Sequence, residues 1–361
     1  RLLQNGKAQP HQRRAEVLAE HLRDSQWKPV PPSPAALKIL KEAPPLFPTN
    51  VDLPSLPFTI DELEDAIAAL KQGRAAGPDD IPNEPFKLLN PSNKHLLLTL
   101  LNSYMHAGLI PSSWNHAVVV SIFKKGNAAL PENFRPISLL NTSYKIFARM
   151  LQARLASVLE PRLRLRQYGF RKAHSTGDPL HIIRRIQELY EETNSPLFLT
   201  FVDWKQAFDK ISREGLAAAL RRIGLPDHYQ NLILQIYANP TFAVRDSDQL
   251  STTMPQGSGV RQGCPLSPYL FIIYMTVLMH DVEQDLQHEY SHIPYVHSST
   301  DPLWDLEYAD DVVLMSRSSN VMQSIITSIE KHALNSGMLI NKQKTCLLYT
   351  SPSPRDRTRS R

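Results

Sequence analysis

The chain has 361 residues, 42% of them hydrophobic, with 40 Lys and Arg against 35 Asp and Glu, for a formal net charge of +5. That apolar content supports a sizeable core and excludes wholesale disorder, and the length allows two or three ordinary domains. The basic excess is compatible with a polyanionic partner, whereas two cysteines, Cys264 and Cys346, exclude a disulfide framework or a Cys-based zinc module and fit a reducing compartment.

Residues 1–28 are polar and basic, with a short helix expected from Arg14 to Arg23. No signal peptide opens the chain, and Arg1 in first place suggests a fragment or processed piece. Residues 29–57 are proline-rich; because proline lacks an N–H and fixes φ, they read as an extended linker or a strap over a surface. A folded region begins near Phe58, where Thr59 and Glu62 form a capping-box pattern ahead of Leu63, Ala66, Ile67 and Leu70 on one helical face. A second helix is expected over Lys94 to His106, a valine-rich strand over Ala117 to Phe123, and helices over Asn141 to Leu159 and from Asp178-Pro179 onward. Leu197 to Val202 is a continuous apolar run, a strand buried on both faces. Helices follow from Ser212 to Gly224, from Asp227 to about Ala238, over Tyr269 to Leu286 and over Val321 to Leu334. The longest apolar run, Tyr269 to Met279, is too short to span a bilayer and reads as a buried core helix. Helices mixed with a few widely separated strands point to an α+β architecture.

Two short apolar runs, Leu306 to Tyr308 and Val312 to Met315, flank Asp310-Asp311. Strand, tight acidic turn, strand is the simplest reading. Adjacent carboxylates repel unless a cation joins them, and a divalent metal with oxygen ligands is the natural guest; a solvated acidic turn is the other reading. Asp203 stands at the end of the Leu197–Val202 strand. If the two strands are neighbours, Asp203 and Asp310 converge and would bind a metal pair suited to in-line phosphoryl transfer; two unrelated strand-end caps would look the same.

Phe201-Val202-Asp203-Trp204-Lys205-Gln206-Ala207-Phe208-Asp209 resembles motif A of reverse transcriptases. Gly259-Val260-Arg261-Gln262-Gly263-Cys264-Pro265-Leu266-Ser267-Pro268 resembles motif B, and Tyr308-Ala309-Asp310-Asp311 resembles motif C. Upstream, Gly77-Pro78-Asp79, Phe123-Lys124-Lys125-Gly126, Asn133-Phe134-Arg135-Pro136-Ile137-Ser138-Leu139-Leu140 and Gln167-Tyr168-Gly169-Phe170-Arg171 are similar to segments of non-LTR (LINE-type) retrotransposon polymerases. The match runs from about residue 58 to 346.

The resemblance implies a right-hand polymerase fold, α+β, with fingers over 58–195 and palm over 196–346, including a finger-side helical segment at about 212–255. It implies RNA-directed DNA polymerase activity: transfer of dNTPs to a DNA primer 3′-OH on an RNA template, with two Mg2+ ions, or Mn2+ in their place. Asp203 and Asp310 would be the principal metal ligands and Asp311 a weaker one. Phe208 would be a steric gate against the ribose 2′-OH, where the residue alone reads as a core aromatic. Arg135, Lys124 and Lys125 would grip the triphosphate, where a solvated basic turn is the plainer reading. Gln262 and Gly263 would approach the nucleotide, with a simple loop before Pro265 as the alternative. Lys344, within Gly337-Met338-Leu339-Ile340-Asn341-Lys342-Gln343-Lys344, matches motif D and would protonate the leaving pyrophosphate, unless it is a plain surface lysine. Arg171, Arg184 and Arg185 would track template phosphates. His288, His292 and His297 form no zinc pattern and read as part of a polar connection between motifs B and C.

The primer grip and thumb that follow motif D in this family are not expected in this chain, which predicts metal binding with weak or no processive synthesis, and residues 347–361 read as a disordered Ser/Pro/Arg tail, more in keeping with non-native sequence than with a basic RNA-binding extension. The implied setting is intracellular, in the nucleus or in element ribonucleoprotein particles, with no membrane partner. A group II intron-type reverse transcriptase and a catalytically silent RNA-binding scaffold are the alternatives. An RNA-directed RNA polymerase fits less well, since such enzymes usually carry a ribose-selecting Asp where Phe208 stands.

Overall fold

The computed structural model describes residues 2–4, 6–53, 57–289 and 303–350. The chain opens with a minimal hairpin of β1 (Leu3–Gln4) and β2 (Lys7–Ala8), followed by α1 (Arg14–His21) and α2 (Pro34–Glu42). Ser33 caps α2 by accepting from the Ala36 N–H, with Pro34 at the first helical position. These residues are no loose linker. Leu2, Val17, Leu18, Ala19, Leu22 and Trp27 are buried in one cluster with Val119, Phe134, Phe242, Val244 and Met254. Beyond α2 the backbone straps onto the body, with the N–H groups of Leu46 and Val51 donating to the carbonyls of Arg222 and Gly224.

The Thr59–Glu62 capping box forms as expected at the start of α3 (Ile60–Ala68). Then come α4 (Glu84–Lys87), α5 (Pro91–Ala107), β3 (His116–Phe123), β4 (Phe134–Leu139), α6 (Thr142–Leu159), α7 (Gly177–Glu192) and β5 (Leu197–Val202). The next run is α8 (Ala207–Lys210), α9 (Arg213–Arg222), α10 (Asp227–Ile236), β6 (Thr241–Asp246), β7 (Gln249–Leu250) and β8 (Met254–Pro255). The described chain closes with α11 (Ser267–Glu289), β9 (Asp305–Tyr308), β10 (Asp311–Ser316), α12 (Ser319–Asn335) and β11 (Cys346–Thr350).

Two sheets organise these elements. The first has the order β4-β3-β6-β7, with β8 also on β6; β3 and β6 run parallel and the other pairs antiparallel. The segment expected to be helical to about residue 255 therefore turns to strand after α10, because Phe242, Ala243 and Val244 are buried against β3 and the N-terminal cluster. The second sheet has the order β11-β5-β10-β9, all antiparallel. The supposed tail begins with an edge strand: Cys346 to Thr350 pair with Phe201 to Leu197. Residues 351–361, like His292 and His297, lie outside the described residues.

α11 is buried along nearly its whole first half, Tyr269 to Met279. A helix apolar on every side must be wrapped by protein, and the main core surrounds it with α6, α9, α10, α12 and β10. No helix of the described residues is long and apolar enough to cross a membrane.

Candidate active site

The register of the second sheet places the acidic residues. Val312 pairs with Val202, so one step further Asp311 stands opposite Asp203, with Asp310 in the turn beside them. Asp203 thus leaves the end of a central strand and Asp310 the tip of the adjoining hairpin. The Asp203 carboxylate accepts from Asn341 Nδ2 at 2.8 Å and lies 3.9 Å from Lys344 Nζ. Asn341 also donates its backbone N–H to the Asp203 carbonyl at 2.7 Å. Burial, and then the charges of Asp311 and Asp203, hold the Asp310 carboxyl above the usual carboxylate range.

The hairpin turn is backbone-strained. Ala309 has φ +58°, a region an L-residue enters at a cost of about 1–3 kcal/mol. Gln167 holds it there: its Oε1 accepts from the Ala309 N–H at 2.8 Å and its Nε2 donates to the Ala309 carbonyl at 3.3 Å. Gly169 closes the same contact, since a Cβ there would lie 2.2 Å from the Ala309 nitrogen. Behind the hairpin, Arg164 and Arg166 pair with Asp305, and Arg164 also with Glu283 and Glu307.

A cavity of about 910 Å³ opens in front of the carboxylates. Asp203 and Asp310 line it together with Glu132 and Asp209; Lys124, Arg135 and Lys344 are among its basic residues, with Lys205, Lys210 and Arg261; Phe208, Gln262 and Gly263 line it as well. Lys124 follows β3 and Arg135 lies in β4, so an antiparallel pair delivers both basic groups to one wall. Burial and then the nearby Arg135 guanidinium hold the Lys124 ammonium below the usual lysine range, while Asp209 and Asp310 pull the other way. Phe208 is fixed by stacking on Phe271, ring centroids 4.4 Å apart at 13°, and by the edge of Phe170 at 6.0 Å. Gly263 has φ +122°, and a Cβ there would lie 2.5 Å from the Ser138 carbonyl oxygen. Its freedom is therefore used to press the loop onto β4.

Other expected residues fall elsewhere. Asp311 is exposed at the start of β10 and, like Lys125, is not part of the cavity wall. Arg171 is turned inward, its side chain 6% exposed, bonded to Glu160 and to the carbonyls of Arg164 and Gln167. That placement corrects its assignment to template phosphate, because the guanidinium is already committed to the fold. Arg184 and Arg185 are exposed on α7, Arg185 paired with Glu188, and neither lines the cavity. Sequence reasoning missed Asn341, Gln167 and Asp209. All three sit inside quoted motifs, but their partners lie over 50 to 180 residues away along the chain.

Among the described residues, no group of three His, Cys, Asp or Glu side chains could hold a metal ion alone. The donors present suit a small hard cation nonetheless: carboxylate oxygens without sulfur or imidazole, facing a cavity that admits a phosphate. Magnesium is commonly held by one or two carboxylates plus substrate phosphates.

Residues 122–357 match the family of reverse transcriptases (RNA-dependent DNA polymerases), and the chain belongs to that family. It is 27% identical over 323 residues to the probable RNA-directed DNA polymerase from transposon BS of Drosophila melanogaster, covering 85% of this chain and 34% of that protein. It is 26% identical over 343 residues to the RNA-directed DNA polymerase from mobile element jockey of the same organism, covering 92% and 36%. A third relative, the probable RNA-directed DNA polymerase from transposon X-element of D. melanogaster, is 31% identical over 240 residues, covering 65% and 26%. The chain therefore spans about a third of the length of these curated relatives. Among solved structures, apo telomerase from Candida tropicalis truncated from its C-terminal domain aligns with a TM-score of 0.47 at 14% identity, covering 68% of this chain and 52% of that one. The expectation of an α+β reverse transcriptase domain related to non-LTR retrotransposon polymerases is met, and this family generally uses a divalent metal.

Proposed function

We propose that this chain catalyses RNA-directed DNA synthesis for a non-LTR element, adding a dNTP to a DNA primer 3′-OH on an RNA template. The observation that carries the reading is a single cavity that brings Asp203 and Asp310 together with Lys124, Arg135 and Lys344. Arg135 acts on Lys124 as a like charge, and a bound triphosphate would relieve that repulsion. Asp203 and Asp310, with Asp311 in support, would hold two Mg2+ ions, whose charge when bound stabilises the attacking and leaving oxygens of an in-line displacement. Arg135 and Lys124 would orient the phosphates, and Lys344 would donate a proton to the departing pyrophosphate. Phe208, locked against Phe271, excludes a 2′-OH by its bulk.

Retention of Asp203, Asp310 and Asp311 argues against a silent scaffold. The test is single-nucleotide extension of a DNA primer on an RNA template, comparing dNTPs with rNTPs. The parent chain should incorporate dNTPs selectively, and Phe208→Ala should raise rNTP use relative to dNTP by at least about tenfold, the scale of a lost steric clash. An unchanged ratio would remove Phe208 from its assigned role, and incorporation of rNTPs alone would overturn the reading.

A further inference from the structure

Asp209 follows the gate residue Phe208, yet its side chain points away from solvent at 2% exposure. Its carboxylate accepts from Gln26 Nε2 at 2.8 Å, from Trp27 Nε1 at 2.9 Å and from Gln262 Nε2 at 2.9 and 3.1 Å. An indole N–H can only donate, so Trp27 requires an acceptor oxygen on Asp209; burial holds that carboxyl above the usual carboxylate range, and the bonds from Trp27, Gln26 and Gln262 pull it back down. The bonds also set the flip of the Gln262 amide: nitrogen toward Asp209, oxygen on the other side.

The three elements meeting at Asp209 are tied by their backbones too. Lys210 Nζ donates to the Ser25 and Lys28 carbonyls at 2.8 and 3.3 Å, and Ser258 Oγ donates to the Asp209 carbonyl at 2.8 Å. A Cβ on Gly257 would lie 2.7 Å from the Trp27 carbonyl oxygen, and one on Gly259 2.6 Å from Asp209 Cα. Ser25 and Gln26 line the same cavity as Asp203 and Asp310. A segment some 180 residues upstream is thereby built into the wall of the site.

We propose that Asp209 is a positioning residue for the incoming nucleotide, held by Gln26 and Trp27 and acting through Gln262, so that the N-terminal segment is a working part of the nucleotide site. The proposal rests on the polymerase reading above. Asp209 bonds to no reacting carboxylate, so its effect falls on ground-state nucleotide binding and appears in KM rather than kcat.

The experiment uses the full chain with Trp27→Phe, which keeps a ring and removes the N–H, and Gln26→Met, which keeps length and removes the donor. Single-nucleotide incorporation on an RNA template with a DNA primer should show the dNTP KM raised about tenfold in each, the scale of one hydrogen bond lost from a buried charge. The kcat should stay within about twofold, and template–primer affinity should not change. A purely structural role would instead lower the melting temperature and the active fraction at constant KM, and that result overturns the proposal. A second readout needs no chemistry: the dNTP concentration required to stabilise the complex with a dideoxy-terminated primer should rise by the same factor. If the parent is stabilised by dNTP and the variants equally so, the proposal fails while the polymerase reading stands. If the parent neither incorporates nor is stabilised by dNTP, both fail together.

Discussion

Ala309 shows how a single backbone angle governs where the acidic hairpin points. A primed hairpin turn matches the twist of its strands and usually places Gly at the position of positive φ. Here an alanine takes it, and Gln167 and Gly169 hold it in place. Gly169→Ala should therefore disturb the turn directly. We expect a loss of about 1–3 kcal/mol in denaturant unfolding, typical of overpacking, together with at least a tenfold fall in primer extension as Asp310 is displaced. Normal extension by this variant would show that the hairpin tolerates movement. The placement of Asp203, Asp310 and Phe208 around one cavity was legible in the sequence because motif spacing carries them. Gln167, Asn341 and Asp209 were not, since a residue's partner across the fold leaves no local periodicity to read.

At the scale of elements, the strands and helices with strong patterns emerged close to their expected positions, β5 and the buried α11 among them. The failures share a cause. β6 carries Thr241 to Asp246 in a stretch taken for helix, and β11 follows a motif that looked like the end of ordered chain. Both are strands because a neighbour supplies the missing hydrogen bonds, a tertiary fact. The N-terminal helix α1 was expected, but not its burial against the first sheet. Leu18→Ala tests that packing: full burial in a mixed cluster predicts a loss of about 2–5 kcal/mol in chemical denaturation. A loss within about 0.5 kcal/mol, as at a surface site, would show that α1 does not pack on the first sheet.

Behind the acidic hairpin, two arginines, Arg164 and Arg166, face three acids, Glu283, Asp305 and Glu307, an excess of one negative charge when all are ionised. Burial, with Asp305 adding to it against the pull of Arg164, pushes the Glu307 carboxyl up to about 8 from 4.5. A raised folded-state value means that the stability contribution is complete below about 4.5 and is lost as pH rises through about 8. Thermal melts of the parent should fall from pH 5 to pH 9 by several degrees more than those of Glu307→Gln, which lacks the excess charge. Parallel profiles would show that the network titrates elsewhere.

For the whole molecule, the two sheets face one cavity, and the segments that join them are themselves structural. Arg261, fully buried, donates to the carbonyls of Trp114, Asn115 and Ile236, linking the motif B loop to the approach to β3 and the end of α10. The first sheet brings Lys124 and Arg135, the second the carboxylates and, just ahead of β11, Lys344, and motif B and the N-terminal segment the remaining walls. We propose that this assembly performs templated synthesis through Asp203 and Asp310. The direct measurement is extension of a DNA primer on an RNA template by the parent chain and by Asp310→Asn. The parent should add dNTP and the variant should lose at least about a hundredfold, the scale seen when one preorganised charge-stabilising group is removed, with folding retained in both. Equal extension by the parent and Asp310→Asn would contradict it.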